Sequence, residues 1–241
     1  IITVDSGTDT VTDLGGASGG ESDVVVVASG ATLNATGVIS FTATSATQNN
    51  STNAGNATLT AADGGNRTIS VANATGSSKA FTIVGGDGQD ILTGGAGADI
   101  ITGGAAVDTI VGGAAVDTIT GGAGNDIIDA GAGADIIVIA TAGEADGDTI
   151  DGGADADVLK LSTGGTDTFA TDNKLQNVET IQAHASGSTV VLTGQTEALT
   201  ITGGAGIDNI TGGGGIDTIT GGAGNDIIDA GAGADIIVIA T

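Results

Sequence analysis

A nine-residue period runs without a gap from Gly85 to Val138, and it constrains the fold more than any other feature of the chain. Each unit has an aspartate at its sixth position and an aliphatic residue at its eighth, and nearly every unit opens on two glycines. A second run of the same pattern starts at Gly203. Such a strict period predicts stacked repeats, because one unit alone cannot bury its apolar side.

The sixth-position residues form one set of aspartates at a constant phase. They are Asp90, Asp99, Asp108, Asp117, Asp126 and Asp135 in the first array and Asp208, Asp217, Asp226 and Asp235 in the second. After a four-residue insertion, two degenerate units extend the first array and supply Asp148 and Asp157. A lone aspartate often serves only as a turn residue, but a constant phase over so many units favours a shared role.

Within each unit the glycines predict a tight turn and the last three residues a very short strand. The middle strand residue points inward and its neighbours point outward. Two units then make one coil, and coils stack at a β-spacing of roughly 4.8 Å. The sequence therefore predicts an all-β parallel solenoid with two facing ladders of aliphatic side chains. Stacking also places carboxylate above carboxylate, and this repulsion requires a cation.

The pattern Gly-Gly-x-Gly-x-Asp-x-aliphatic-x resembles the RTX (repeats-in-toxin) family over both arrays, about half of the chain. The resemblance implies a right-handed parallel β-roll, or β-solenoid, that holds several structural Ca²⁺ ions between stacked turns. It implies that the metal ligands are the array aspartates, Asp148, Asp157 and nearby backbone carbonyls. These carbonyls are expected near Gly94, Ala96, Gly121, Ala123, Gly203, Ala205, Gly221 and Ala223.

Two units of the first array depart from the pattern at their fourth position. Ala106 and Ala115 stand where the other units of that array have glycine. If this position needs a positive φ, alanine is strained there. We therefore expect these two turns to bind metal more weakly.

The chain divides by sequence into four segments. Residues 1–84 form a β-rich non-repetitive segment, 85–138 the first array, 139–202 a β-rich segment with degenerate repeats, and 203–241 the second array. Asp117–Thr141 is identical to Asp217–Thr241, which indicates a tandem duplication. The two non-repetitive segments are predicted to be wider, metal-free coils of the same sheets; a small separate β-sandwich is the alternative. Residues 43–56 are predicted to be a surface loop.

Composition limits the partners and the chemistry. The formal net charge of −25 disfavours binding to nucleic acid or anionic membranes, and Val24–Val27 is too short to span a membrane. The chain has neither an initiator methionine nor a signal peptide, so we expect a piece of a longer protein. His184 is the only histidine, and no catalytic motif surrounds it. We expect no enzymatic activity.

Two functions remain open from the sequence. The first is a structural unit of an extracellular bacterial assembly: a surface layer (S-layer), a filament or an adhesin stalk. The alternative is the calcium-folding module of a secreted protease, lipase or epimerase. The resemblance implies type I secretion and a location outside the cell. Self-association is the expected interaction, and a cell-surface polysaccharide is a second candidate partner. An ice-binding role is disfavoured because isoleucines interrupt the outward threonine row.

Overall fold

The structure is a computed structural model that describes residues 2–4, 8–12, 25–27, 32–38, 40–43, 47–49, 57–61, 65–75 and 80–239. Helix is confined in this part of the chain to two three-residue 3-10 turns, Glu144–Asp146 and Asp172–Lys174. Among the described residues no helix has the length and apolar character needed to cross a membrane. The fold is all-β, as the sequence predicts.

Short strands alternate with tight turns along the chain. In chain order they are β1 (Ile2–Val4), β2 (Thr8–Thr12), β3 (Val25–Val27), β4 (Thr32–Val38), β5 (Ser40–Thr42), β6 (Gln48–Asn49), β7 (Ala57–Ala61), β8 (Thr68–Ser70), β9 (Thr82–Gly86), β10 (Ile91–Thr93), β11 (Ile100–Ala105), β12 (Thr109–Ala114), β13 (Thr118–Ala123), β14 (Ile127–Ala132), β15 (Ile136–Ile139), β16 (Thr149–Asp151), β17 (Val158–Leu161), β18 (Thr166–Thr168), β19 (Leu175–Gln176), β20 (Thr180–Gln182), β21 (Thr189–Val191), β22 (Thr200–Thr202), β23 (Asn209–Thr211), β24 (Thr218–Thr220), β25 (Ile227–Asp229) and β26 (Ile236–Val238). The pairs between these described strands are all parallel.

One sheet extends through all four sequence segments. Its twelve strands follow the order β2-β4-β7-β9-β11-β13-β15-β17-β20-β22-β24-β26. The intervening strands form two further sheets, β19-β16-β14-β12-β10-β8-β5 and β18-β21-β23-β25, and β1, β3 and β6 form a small third one. The molecule is therefore a parallel β-solenoid. The prediction that the non-repetitive segments continue the sheets is confirmed, and the β-sandwich alternative is wrong.

Coil length varies along the twelve-stranded sheet. A coil takes 18 residues in the arrays, 24 before the first array, 22 just after it and 20 before the second. These lengths are set by the pairs Ile100↔Thr118, Thr58↔Thr82, Ile136↔Val158 and Thr180↔Thr200. Because the paired residues keep the same phase, the extra residues lie in the turns and leave the register of these four strand pairs intact.

The core consists of the predicted aliphatic ladders. Their inward residues are at most 3% exposed and belong to one hydrophobic cluster. The twelve-stranded sheet contributes Leu59, Ile83, Ile101, Ile119, Ile137, Leu159, Ile181, Ile201 and Ile219, and the opposite strands contribute Phe41, Ile69, Leu92, Ile110, Ile128, Ile150, Leu175, Val190 and Ile210. With only one to three inward residues per short strand, stacking is what excludes water from this core.

The predicted surface loop at residues 43–56 is wrong where the structure describes it. Ala43, Thr47 and Asn49 are buried, and Asn49 lies in β6, which pairs with β3. The backbone satisfies these polar groups, since the Asn49 side-chain amide donates to the Ala80 carbonyl and Thr75 N donates to Thr47 O at 2.8 Å. Residues 44–46 and 50–56 lie outside the described part.

Truncation of one ladder residue should destabilise the solenoid strongly. Ile110 is fully buried, and β12 places it between Leu92 and Ile128. We expect Ile110→Ala to lower the free energy of unfolding by about 2–5 kcal/mol, since it leaves a cavity. Ile127→Ala is the matched control because Ile127 is 52% exposed, and its expected effect is only about 0.5 kcal/mol. Urea unfolding in saturating calcium measures both; equal losses would contradict the ladder assignment.

Candidate metal centre

The sixth-position aspartates stack in columns, one beside each face of the solenoid. Each aspartate lies directly before a strand, and its partner in the next coil lies directly before the paired strand. In the first array and its extension one column is Asp90, Asp108, Asp126 and Asp148, and the other is Asp99, Asp117, Asp135 and Asp157; in the second array the columns are Asp208 with Asp226 and Asp217 with Asp235.

A repeated hydrogen bond joins the members of each column. Asp99 N donates to Asp117 Oδ1 at 2.7 Å, and Asp117 N donates to Asp135 Oδ1 at 2.7 Å. In the second array Asp208 N donates to Asp226 Oδ1 at 3.0 Å. One carboxylate oxygen in each turn is therefore fixed by the backbone of the preceding coil.

The degenerate turns keep the same arrangement despite the inserted residues. Asp126 N donates to Asp148 Oδ1 at 2.8 Å, and Asp135 N donates to Asp157 Oδ1 at 2.7 Å. Asp148 and Asp157 are as buried as the regular array aspartates. The structure thus brings both residues into the columns that the regular turns define.

The second oxygen of most column carboxylates is buried without a partner. Among the described residues, no hydrogen bond ends on the Oδ2 atoms of Asp90, Asp108, Asp117, Asp126, Asp135, Asp148 and Asp157. Asp99 and Asp208 differ, because their Oδ2 atoms accept from Gly95 N at 2.7 Å and Gly204 N at 2.8 Å. A buried carboxylate oxygen without a donor is costly unless a cation binds it.

Burial also changes the protonation of these groups. It raises the pKa of Asp117 to about 8 and that of Asp108 to about 7, and the neighbouring carboxylates of the same column add to the rise. Burial likewise raises the pKa of Asp148 to about 7 and those of Asp99 and Asp157 to about 6. Without metal, Asp108, Asp117 and Asp148 therefore hold protons near neutral pH, and a divalent cation would replace those protons.

The first glycine of most array turns leaves space beside the second carboxylate oxygen. A β-carbon on Gly94 would lie 2.6 Å from Asp99 Oδ2 and would collide with the carbonyl oxygen of Gly112 in the next coil. In the same way Gly203 lies beside Asp208 Oδ2 and the carbonyl oxygen of Gly221. At these glycines the missing β-carbon leaves room for a carbonyl and a carboxylate oxygen to converge.

These donors fit calcium. The turns present carboxylate and carbonyl oxygens, which are the ligands that Ca²⁺ takes, six to eight at a time. Within the described residues no group of three acidic or histidine side chains comes together, so backbone carbonyls must complete each ligand set. The aspartates of a column would hold the ions, and each bound ion would offset the like charges between stacked turns.

The predicted carbonyl ligands have different surroundings. The carbonyls of Gly121 and Gly221 face Asp108 Oδ2 and Asp208 Oδ2 across the missing β-carbons of the preceding coil. Four of the predicted carbonyl ligands belong to exposed residues, namely Ala96, Ala123, Ala205 and Ala223. Metal binding by these carbonyls, and by those of Gly94 and Gly203, stays a prediction. Asp226 and Asp235 are only half-buried, because no further described coil stacks on them.

Two acidic residues that the sequence pattern does not identify also take part in this architecture. Glu179 lies directly before β20, and its carboxylate accepts from Asp157 N at 2.8 Å, as a column aspartate would. The sequence signal for Glu179 is weak, because it consists only of an acidic residue two positions before the buried Ile181. Asp167 is fully buried at a ladder position of β18, paired with Val190, and burial raises its pKa. No sequence signal distinguishes it.

Comparison with known families agrees with this geometry. The RTX calcium-binding nonapeptide repeat matches four stretches of the chain, at residues 82–110, 102–137, 142–166 and 202–237. No curated protein matches the chain. The resemblance to RTX β-rolls is confirmed: these four stretches are RTX calcium-binding repeats, and such repeats bind several Ca²⁺ ions structurally. The matched range 142–166 includes Asp148 and Asp157 of the degenerate turns.

Without calcium, the solenoid should gain stability as the pH falls. The pKa values of Asp117, Asp108 and Asp99 in the fold are about 8, 7 and 6, whereas an unfolded aspartate titrates near about 3.9. The fold therefore binds more protons than the unfolded chain. The stabilisation from this proton binding is complete below about pH 4 and is lost as the pH rises through about 6 to 8.

Far-UV circular dichroism with a chelator measures this effect. The β signal should be weak at about pH 8 and should grow as the pH falls toward about 4.5, since protons then neutralise the columns. Added calcium should restore the signal at about pH 8, where the carboxylates are free to bind it. A chelated sample with the same β signal at both pH values would contradict the prediction.

The alanines at the fourth position should be strained. Ala115 has a φ of 73°, and its counterpart in the next coil is Gly133 with a φ of 138°, which confirms the predicted positive φ. Left-handed backbone at a residue other than glycine costs of order 1–3 kcal/mol. We expect Ala115→Gly to raise the urea midpoint in calcium, whereas the control Ala114→Gly in β12 should lower stability by about 0.5–1 kcal/mol. Equal losses in both variants would refute strain at Ala115.

Proposed function

We propose that this chain, which carries RTX calcium-binding repeats, is a calcium-stabilised structural unit of an extracellular bacterial assembly such as a surface layer, a filament or an adhesin stalk. RTX repeats typify secreted proteins and indicate a calcium-binding structural module. Export by type I secretion is part of the proposal. In this role the chain performs no catalysis, and its bound ions keep the solenoid folded.

Exposed isoleucines on the strand faces are the observation that carries the proposal. Ile91 and Ile127 are each 52% exposed and lie in one outward row of the seven-stranded sheet, with Thr109 between them. On the twelve-stranded sheet Ile100 is 42% exposed in β11. Aligned apolar side chains on an otherwise polar surface are typical of a contact face.

Self-association fits these faces better than the other partners considered. The flat, regular rows can pack against the same rows of a second copy, and calcium would reduce the repulsion between copies of net charge −25. The same charge disfavours nucleic acid and anionic lipid. A cell-surface polysaccharide is the second proposed partner, and it would anchor the assembly to the cell.

The alternative is the calcium-folding module of a secreted protease, lipase or epimerase, which the RTX repeats would equally support. In the described residues His184 lies in a turn, with Nδ1 2.7 Å from Ser186 Oγ. Neither residue lies in a column. This module would fold on calcium as proposed above but would stay monomeric.

Light scattering in millimolar-range calcium separates the two functions. The wild-type chain should form large particles, and the double variant Ile91→Thr with Ile127→Thr should stay small while it keeps its calcium-induced β signal. Ile207→Thr is the matched control, because Ile207 is 65% exposed but lies in a turn and not on a strand face. A wild-type chain that stays monomeric in calcium would favour the enzyme module.

A further inference from the structure

We propose that the calcium column beside the twelve-stranded sheet continues one coil beyond the nonapeptide pattern, where Glu179 and Asp157 form an additional Ca²⁺ site. The inference rests on calcium binding by the columns and is independent of the proposed assembly. The site lies between two stacked turns, the first of which contains Gly152 and Asp157. The second contains Glu179 and has neither the paired glycines nor the aspartate of the repeat.

The backbone places Glu179 in the column. Asp157 N donates to Glu179 Oε2 at 2.8 Å, and this is the bond that Asp135 N makes to Asp157 Oδ1 at 2.7 Å one coil earlier. The main chain agrees, since Thr180 N donates to Asp157 O at 3.1 Å as Val158 N donates to Asp135 O at 2.9 Å. Glu179 therefore takes the place of the next column aspartate.

An unpartnered carboxylate oxygen in the turn that precedes Glu179 by one coil points to a ligand between the two turns. Asp157 is fully buried, and its Oδ2 atom has no hydrogen-bond partner among the described residues. A β-carbon on Gly152 would lie 2.7 Å from this oxygen and would collide with the carbonyl oxygen of Asn177. The space beside Asp157 Oδ2 is thus left open by a glycine and bordered by a carbonyl from the next coil.

The array turns show the same three parts. There the space lies beside Gly112, between the unpartnered Asp117 Oδ2 and the carbonyl of Ala130, and Asp135 supplies the next carboxylate by accepting from Asp117 N. In the proposed site Gly152, Asp157, Asn177 and Glu179 have these roles in the same order.

The substitution of glutamate for aspartate has a geometric reason. In the array Asp135 follows Ala130 by five positions, but Glu179 follows Asn177 by only two. Asn177 has a φ of 51°, so the chain turns sharply there. The longer glutamate side chain compensates for the shorter turn and still reaches Asp157 N.

The column ends after this site. In the next coil Leu199 lies at the column position, since Thr200 N donates to Glu179 O at 2.8 Å. Leucine offers no carboxylate, and the column resumes at Asp217, whose Oδ1 accepts from Leu199 N at 2.9 Å. The geometry therefore points to a single additional ion.

Native mass spectrometry of the calcium-loaded chain tests the proposal with Glu179→Gln. The amide keeps an oxygen that can accept from Asp157 N, so the fold should persist while a charged ligand is lost. We expect this variant to bind one ion fewer than the wild-type chain at limiting calcium, with faster hydrogen exchange at the Asp157 amide. Glu197→Gln is the control: it removes the same charge two residues before Leu199, outside the column, and should leave the ion count unchanged.

An unchanged ion count in Glu179→Gln would overturn the site. If that variant does not fold, a crystal structure of the wild-type chain grown in calcium decides. An ion bound by Asp157 and Glu179 supports the proposal. If an ion is bound between Asp99 and Asp117 but none between Asp157 and Glu179, the proposal is overturned. A wild-type chain that binds no calcium would instead overturn the whole metal assignment, whereas a failure to assemble would leave this site intact.

Discussion

The hydrogen bond from each column amide to the carboxylate of the next coil is the interaction on which the rest of the solenoid depends. It fixes one carboxylate oxygen and leaves the other buried, as at Asp117, whose Oδ2 has no partner among the described residues. Burial and neighbouring carboxylates then raise the pKa of Asp117 to about 8. Either protons or a divalent cation must neutralise the column, and calcium would do so together with the carbonyl oxygens that converge beside the turn glycines.

The two faces of the solenoid respond differently to changes in coil length. The twelve-stranded sheet continues through every insertion. On the opposite face one sheet ends at β19 and a separate sheet begins at β18. At the edge of this division Asp167 occupies a ladder position, and its Oδ1 accepts from Gly143 N at 2.9 Å. A thin core with few inward residues per strand tolerates such a division, because the continuous sheet maintains the stacking.

The sequence predicted the regular parts of the fold and of the metal centre, since they depend on a period. The ladders and the columns of the arrays lie where that pattern places them. It missed Glu179, because the short turn before it hides the period, and it misassigned Thr47 and Asn49, whose polar side chains suggested solvent exposure although the structure buries them. In both cases the decisive partners are more than twenty residues away in the chain.

The duplicated segment separates what the sequence determines from what stacking decides. Asp117–Thr141 and Asp217–Thr241 are identical, and in both copies the strands begin at corresponding residues and the same aspartates enter columns. Yet Ile137 is fully buried whereas Ile237 is 46% exposed, and β14 spans six residues whereas β25 spans three. The first copy is covered by β16 and β17, and within the described residues no coil covers the second. The sequence alone determines the turn, the inward residue and the column position, because these are local; burial and strand length are decided by the tertiary structure, because they require a neighbouring coil.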